Sequence, residues 1–349
     1  MKKIQITDLK ISHRQSILEA LSQLAELRGI AKLILFVCDD NDRVIGSLTD
    51  GDLRRALVNG ATLDENVENV SNKKFEYIDI GEECINFYNY VERNIIILPI
   101  LNHEMQLVDY VDTTFYKAII PVEAVIMAGG RGKRLSPLTD KTPKPLLRVG
   151  DKPIIEHIIL NLSKFGIKII NISINYLGNL IEEYLGDGSN YGVQINYIKE
   201  DKFCGTAGSL SKLNNKTHEN ILVTNGDVLT NVNFYEFFKF HSINQSDLSV
   251  LSTPYSVDVP YAVFTKKDNQ VINFSEKPRY NYECNAGIYL LKKESLERIP
   301  NDQYHDMTQF MQGLLDDDKI INTFPANGYW IDIGTPSDYE LVRQNFREN

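Results

Sequence analysis

Apolar residues fall at helical spacing from Ser16 to Leu27, and an apolar stretch at 31–37 then reads as a buried strand. From residue 122 onward, short apolar runs alternate with segments of helical period. Strands are predicted at 122–127, 168–176, 193–199, 220–224, 247–253, 262–265, 271–274 and 286–291. A helix is predicted at 153–165, with Ile154, Ile155, Ile158, Ile159 and Leu162 on one face and Pro153 near its first turn. Such alternation implies an α/β domain: a mostly parallel sheet covered on both faces, with ligands at the carboxyl ends of its strands. The pattern breaks near Ile119-Ile120-Pro121. A chain of 349 residues is long for one core, so two domains are expected, 1–119 and 122–349.

Composition narrows the class. The formal charge of −10 disfavours general nucleic-acid binding, which needs a basic face, and the aromatic residues do not interleave with basic ones. No apolar run approaches the roughly 18 residues of a membrane span, and the opening MKKIQITDLKISHRQ lacks the apolar core of a secretory signal. A cytoplasmic protein without membrane contact is expected. Cys38, Cys84, Cys204 and Cys284 show no C-x-x-C spacing and are expected to be thiols, neither a disulfide framework nor a zinc site. The six histidines, His13, His103, His157, His218, His241 and His305, form no ligand spacing either.

Against this acidic background, residues 125–146 read VIMAGGRGKRLSPLTDKTPKPL. Gly129, Gly130 and Gly132 let backbone approach a ligand closely, and Arg131, Lys133, Arg134, Lys141, Lys144 and Arg148 set six cations beside the single Asp140. A polyphosphate suits such a loop. No Gly-Lys-Ser/Thr follows, which excludes the P-loop, and Arg134-Leu135 stands where the dinucleotide fingerprint needs its last glycine. The stretch closely resembles the signature of sugar-1-phosphate nucleotidyltransferases, A-G-G-x-G-x-R-L-x-P-L-T followed by P-K-P, here Pro143-Lys144-Pro145. Lys133 departs from it, because a small hydroxyl residue is usual there. The resemblance implies a Rossmann-like (GT-A-like) three-layer domain with a mostly parallel mixed sheet, joining a nucleoside triphosphate to a sugar 1-phosphate. No hexapeptide repeat follows Trp330, so the β-helix tail of some relatives is not expected.

That reaction needs no general base, because a phosphate monoester with a second pKa near ~6 is already largely dianionic at neutral pH. Positioning and positive charge are what the protein must supply. By the resemblance, Arg134, Lys144 and Lys277 are the catalytic cations, and Ala128, Gly129, Gly130, Gly132 and Lys133, with Gly205, Thr206 and Ala207, hold the nucleotide. Asn225-Gly226-Asp227 closes a strand, and Tyr329-Trp330-Ile-Asp332-Ile-Gly334-Thr335 resembles the W-x-D-x-G-T element. Asp227 and Asp332 are therefore expected to hold Mg²⁺, for which two carboxylates, waters and phosphate oxygens are a suitable set. Ser275-Glu276-Lys277-Pro278 matches the E-K-P element, which implies Glu276 on sugar hydroxyls and Lys277 on the sugar phosphate. Asn285 and Gly287 of the N-A-G-I-Y strand, with Tyr261-Ala262 in place of the usual Tyr-Gly, complete the sugar side.

Base choice rests on Glu200, five residues before Gly205, where many uridylyl- and thymidylyltransferases of the family carry glutamine. Glutamine offers one donor and one acceptor, matching uracil or thymine. Glutamate offers only acceptors, and guanine presents N1–H and its 2-amino group side by side, so Glu200 points to GTP. Cys204 stands where the family has leucine.

In the first segment, the run from Arg43 through Thr49 and Asp52 to Arg55 resembles a CBS repeat, which implies Thr49 on phosphate and Asp52 on the ribose of an adenine nucleotide. A second, degenerate copy at 75–117 puts Asp112 at the threonine position and Phe115 at the aspartate position, so its nucleotide site is expected to be lost. An α+β CBS pair, regulatory or oligomerising, is thus expected ahead of the catalytic domain, in a homo-oligomer. The two modules together resemble bacterial guanylyltransferases that feed glucosamine 1-phosphate toward legionaminic acid, with mannose 1-phosphate as the rival substrate. The alternative of another class is a catalytically inactive regulatory subunit. Such relatives lose the charged set, whereas Arg134, Lys144, Asp227, Lys277 and Asp332 all stand here.

Overall fold

The two patterns along the chain separate into two compact units, Met1–Ala118 and Ile119–Asn349. The computed structural model describes residues 5–27, 34–213, 217–301 and 303–345, so positions 31–33 of the expected first strand lie outside the described residues.

The first unit uses one pattern twice. Strand β1 (Lys10–Ser12) pairs in parallel with β2 (Ile34–Cys38), which pairs antiparallel with β3 (Val44–Thr49). Strands β4 (Ile78–Asp79), β5 (Ile97–Leu101) and β6 (Leu107–Asp112) repeat that order and those directions. A constant offset of 63 residues relates the hairpins, Val44 to Leu107 and Thr49 to Asp112, and each has a register irregularity at the same step, Val37/Cys38 and Ile100/Leu101. The turns match as well. Asp39 Oδ1 accepts from the N–H groups of Asn41 and Arg43, as Asn102 Oδ1 does from those of Glu104 and Gln106. The equivalent residues Arg43 and Gln106 bridge each other, as in two copies related by an approximate two-fold axis. Helix α1 (Ile17–Glu26) starts on a Ser16–Glu19 capping box and α2 (Asp50–Val58) on a Thr49–Asp52 box. Their apolar faces close a core of Ile17, Leu24, Leu35, Val37, Leu48 and Leu53.

In the second unit β7 (Val122–Met127), β8 (Ile169–Ile174), β9 (Gln194–Lys199) and β10 (Asn220–Asn225) run parallel. Strand β11 (Val228–Thr230) leaves the sheet. The chain then forms β12 (Leu248–Asp258), a hairpin of β13 (Val263–Lys267) and β14 (Gln270–Ser275), β15 (Arg279–Lys292) and β16 (Ile321–Pro325). The seven-stranded order is β9-β8-β7-β10-β15-β12-β16, with β15 alone reversed. This is the mixed, mostly parallel sheet the alternation implies. Helix α3 (Ile154–Ser163) buries the five apolar residues of its predicted face. On the sheet, Val125, Val223, Leu248 and Leu291 join Phe310 and Leu314 of α4 (Met307–Asp316) in one core.

Two expectations need correction. The strands predicted at 247–253 and 286–291 are parts of longer ones, whose outer halves, 253–258 and 279–284, pair as an exposed ribbon beyond the sheet. There polar residues alternate with apolar ones, at 255–258 and 279–284, so the uninterrupted apolar signal of a buried strand stops at the sheet boundary. Strand β16 was not expected at all: it is a half-exposed edge strand ending on Pro325.

Candidate functional site

The carboxyl ends of β7 and β10 close on each other. Gly226 N–H donates to Met127 O at 2.9 Å, and a Cβ on Gly226 would come within 2.8 Å of that oxygen, so glycine is required where the strands meet. Beside this crossing lies a cavity of about 270 Å³, lined by Ala128, Gly130, Gly132, Lys133, Arg134, Lys144, Asp227 and Gly334 among others. Gly132, with φ of 63°, turns the chain into a single 3₁₀ turn, Lys133–Leu135. Thr139 Oγ1 ties it down by donating to Gly132 O at 2.9 Å, and the Tyr176 hydroxyl reaches Asp140 O at 3.0 Å. The Arg131 guanidinium lies over the Tyr176 ring, 5.3 Å from its centre.

Lys144 is 8 % exposed and pairs with the Asp227 carboxylate. Strand β11 pairs antiparallel with β17 (Trp330–Asp332), setting Val228 opposite Asp332, and Ile333 N–H donates to Asp227 O at 3.2 Å. This short ladder brings Asp227 and Asp332 together. A Cβ built on Gly334 would sit 3.4 Å from Asp332 Oδ2 and 3.5 Å from both terminal nitrogens of Arg134, which places that guanidinium at the same point. Burial, and then the Asp227 charge, push the Asp332 carboxyl above its ordinary range, while Lys144 and Arg134 pull it back. Two carboxylates this close favour a divalent cation. Among the described residues no group of three or more His, Cys, Asp or Glu could hold a metal, so further ligands would be water and phosphate oxygens, a donor set that suits Mg²⁺.

Glu200 is the second buried anchor, 6 % exposed. The Ser173 hydroxyl donates to Oε1 and Cys204 N–H to Oε2 at 2.8 Å. A Cβ on Gly129 would lie 2.7 Å from Oε1, so the carboxylate sits directly against the glycine turn. Gly205, with φ of 81°, opens the Gly-Thr-Ala-Gly turn, and the N–H groups of Ala207 and Gly208 both donate to His305 O at 2.9 Å. Thr206 N–H donates to Asp306 Oδ1 at 3.1 Å. Burial alone would raise the Asp306 carboxyl, but hydrogen bonds from Tyr304 and Thr206 outweigh it and hold it below its ordinary range.

Sequence reasoning met Thr139 only as the last residue of the glycine signature, without a role, and missed Ser173, Tyr176 and Asp306. Of these three, only Asp306 had a local signal, since it heads an Asp-x-x-Gln capping box with Gln309.

The sugar-side residues stand elsewhere. Tyr261, Glu276 and Lys277 are exposed, Ala262 is half-buried, and none lines the cavity. Lys277 has φ of 45° at the turn into β15. Asn285 Oδ1 accepts from Gly287 N–H at 2.9 Å; a Cβ on Gly287 would fall 2.4 Å from Asn225 Nδ2, which demands glycine. The structure thus sets Ala128, Gly130, Gly132, Lys133, Arg134, Lys144 and Asp227 around one cavity and Glu200 against the adjoining Gly129, while Tyr261, Ala262, Glu276 and Lys277 lie outside the cavity and Asn285 and Gly287 belong to β15. In the first unit, Asp52 Oδ2 accepts from Thr49 N–H at 2.8 Å and from its hydroxyl at 2.6 Å, and Oδ1 pairs with Arg55. Both proposed ligands there serve as a helix cap.

A mixed α/β sheet with a cationic glycine turn and paired acids at its strand ends defines a class of proteins that handle nucleoside polyphosphates. The chain belongs to the nucleotidyl transferase family, whose model matches residues 123–349. It is 32 % identical over 234 residues to a D-glycero-alpha-D-manno-heptose 1-phosphate guanylyltransferase of Aneurinibacillus thermoaerophilus, a match covering 65 % of this chain and 99 % of that one. It is 32 % identical over 235 residues to a mannose-1-phosphate guanylyltransferase of Mycobacterium tuberculosis, covering 64 % of this chain and 65 % of that protein's length. Among solved structures, HddC from Yersinia pseudotuberculosis matches with a TM-score of 0.51 at 25 % identity, over 65 % of this chain and 100 % of that one. Among the described residues no helix is long and apolar enough to cross a membrane.

Proposed function

We propose that residues 119–349 transfer a guanylyl group from GTP to a sugar 1-phosphate, releasing pyrophosphate. The observation that carries the base assignment is the position of Glu200, a buried carboxylate against Gly129 whose two oxygens each take one hydrogen bond from the protein. Each keeps a lone pair for N1–H and the 2-amino group of guanine. The two relatives named above are guanylyltransferases for different sugar 1-phosphates, which supports the reaction and leaves the sugar to this chain's own residues.

A sugar-phosphate oxygen attacks the α-phosphorus, the new P–O bond forms in line, and the bond from α-phosphorus to the bridging oxygen breaks as pyrophosphate leaves. Backbone N–H groups at 129–132 cradle the triphosphate, and Lys133, Arg134 and Lys144 oppose the charge that builds on the leaving group. Asp227 and Asp332 would hold Mg²⁺, which when bound supplies further charge neutralisation on phosphate oxygens. Lys277 and Glu276 would take the sugar phosphate and hydroxyls, with Tyr261, Ala262, Asn285 and Gly287 shaping the sugar side. Glucosamine 1-phosphate is the substrate we favour and mannose 1-phosphate its rival.

Pyrophosphate release, measured with Mg²⁺, a panel of sugar 1-phosphates and GTP, UTP, dTTP, CTP or ATP, tests this reading. GTP should be used far faster than the others. Equal use of UTP would overturn the base assignment, and no turnover with any pair would favour an inactive regulatory subunit. The 63-residue repeat supports a CBS pair in the first unit. A cytoplasmic homo-oligomer is the setting we propose for the chain. A rise in Tm of the full chain with AMP or ATP would support a nucleotide there; no shift with either would remove the sensor reading.

A further inference from the structure

Two aromatic side chains stand in water beside the turn that holds Glu200. Phe203 is 47 % exposed and Tyr304 57 % exposed, and their rings meet edge to face with centres 6.0 Å apart. The segments that carry them are tied together. His305 N–H donates to Cys204 O at 2.8 Å, and the N–H groups of Ala207 and Gly208 return to His305 O, so the chain ahead of α4 is fastened along the turn after Phe203. The Tyr304 hydroxyl donates to Asp306 Oδ2 at 2.7 Å while Asp306 Oδ1 takes Thr206 N–H, which makes Tyr304 a fixed buttress for the Phe203 ring. Phe203 also immediately precedes Cys204, whose N–H holds Glu200 Oε2 at 2.8 Å. Through that peptide, Phe203 Cα lies within about 6 Å of the carboxylate oxygen.

We propose that Phe203, backed by Tyr304, is the stacking platform for the base whose edge Glu200 holds. The platform rests on the guanylyl-transfer reading above and adds to it a contact with the face of the base. A base bonded to Glu200 lies about 3 Å from the carboxylate, so a ring attached this close to it reaches the base at the usual centre separations of about 4.5–7 Å. The size of the patch favours such an occupant. Taking ~200 Å² for each aromatic side chain, two half-exposed rings leave roughly 200 Å² in water. A protein interface needs roughly 800 Å² from each partner, whereas one flat base covers an area of this size. Neither ring is charged, so phosphate finds nothing to pair with there. The two recognition elements also read different things: the carboxylate reads donors along the base edge, and the ring reads area. A purine offers two fused rings and a pyrimidine one, so stacking favours guanine over uracil in the same sense as Glu200.

Calorimetry on the full chain with GDP, UDP and inorganic pyrophosphate tests the platform. Phe203→Leu should weaken GDP binding by about tenfold and UDP binding by less, with pyrophosphate, which has no base, unchanged. Phe203→Trp keeps a stacking face and should hold GDP affinity within about twofold of wild type. Tyr304→Leu, on the other segment, is the second variant should the first misfold, and should weaken GDP by about threefold, again without effect on pyrophosphate. Far-UV circular dichroism and a single cooperative melt establish that each variant is folded. Unchanged GDP affinity in folded Phe203→Leu overturns the platform, as does a loss that pyrophosphate shares equally, which marks a purely structural role. Guanine selection is read separately, from the wild-type ratio of GDP to UDP affinity: equal affinities would remove the Glu200 assignment, while the base-dependent loss in Phe203→Leu still decides the platform.

Discussion

Glu200→Gln tests the base reading with almost no change in volume, and the structure dictates how the new amide sits. Cys204 N–H can only donate, so the remaining side-chain oxygen must stay in front of it, while the Ser173 hydroxyl can turn and accept from the amide nitrogen. The variant should therefore fold with its nitrogen on the Ser173 side, presenting one donor and one acceptor where the wild type presents two acceptors. For guanine, two charge-assisted bonds become one neutral bond and one opposed pair of donors, a loss of about 3–4 kcal/mol. That corresponds to a fall of roughly 10²–10³ in kcat/KM for GTP. Uracil, with O4 beside N3–H, suits the amide, so the ratio of UTP to GTP usage should rise.

Pyrophosphate release at saturating sugar 1-phosphate, measured for GTP, UTP and dTTP, reads both changes. A variant that keeps its GTP kcat/KM within about threefold of wild type would refute base recognition by this residue. Ser173→Ala separates charge from orientation. It leaves the carboxylate intact but unanchored at Oε1, so about a tenfold rise in KM for GTP is expected, with no gain for UTP.

Three further outcomes follow from the same geometry. Lys144→Met removes the cation paired with Asp227, so turnover should drop about 10²-fold, while calorimetry on nucleotide-free protein should show Mg²⁺ binding more tightly; undiminished turnover would remove Lys144 from the chemistry. Gly129→Ala drives a Cβ to 2.7 Å from Glu200 Oε1, and the displaced carboxylate should raise KM for GTP with about 1–3 kcal/mol of lost stability, measured by urea unfolding. His241 faces Asn220 Oδ1, which only accepts, so Nε2 carries the proton and Nδ1 accepts from the Ser249 hydroxyl. Burial, assisted by the Lys292 charge, pushes its pKa down to about 4. Between the ordinary value near ~6.5 and this one, only the unfolded chain binds the proton, so stability falls as pH drops through that window, by about 2 kcal/mol from pH 7 to 5. His241→Gln should abolish that part of the acid limb in urea titrations at the two pH values.

What the sequence made legible is what is local. The glycine turn, the apolar face of α3 and the strand feeding the turn each depend on neighbours a few residues away, and each stands where its pattern placed it. The exposed ribbon was missed because Tyr255 and Val257 alternate with Ser256 and Asp258, a half-polar period that does not resemble the continuous apolar runs of the sheet core. Contacts across the fold carried no local mark. Asp227 and Asp332 meet only because β11 and β17, three residues each, form a ladder outside the main sheet. Glu200 shows the division within one residue. Its two acceptors were readable from its chemistry, but its burial comes from Ser173 on the neighbouring strand and from the turn ending at Cys204. A carboxylate held in that way cannot swing to follow whichever base arrives, and a fixed pair of acceptors discriminates between donor patterns where a flexible surface glutamate would not.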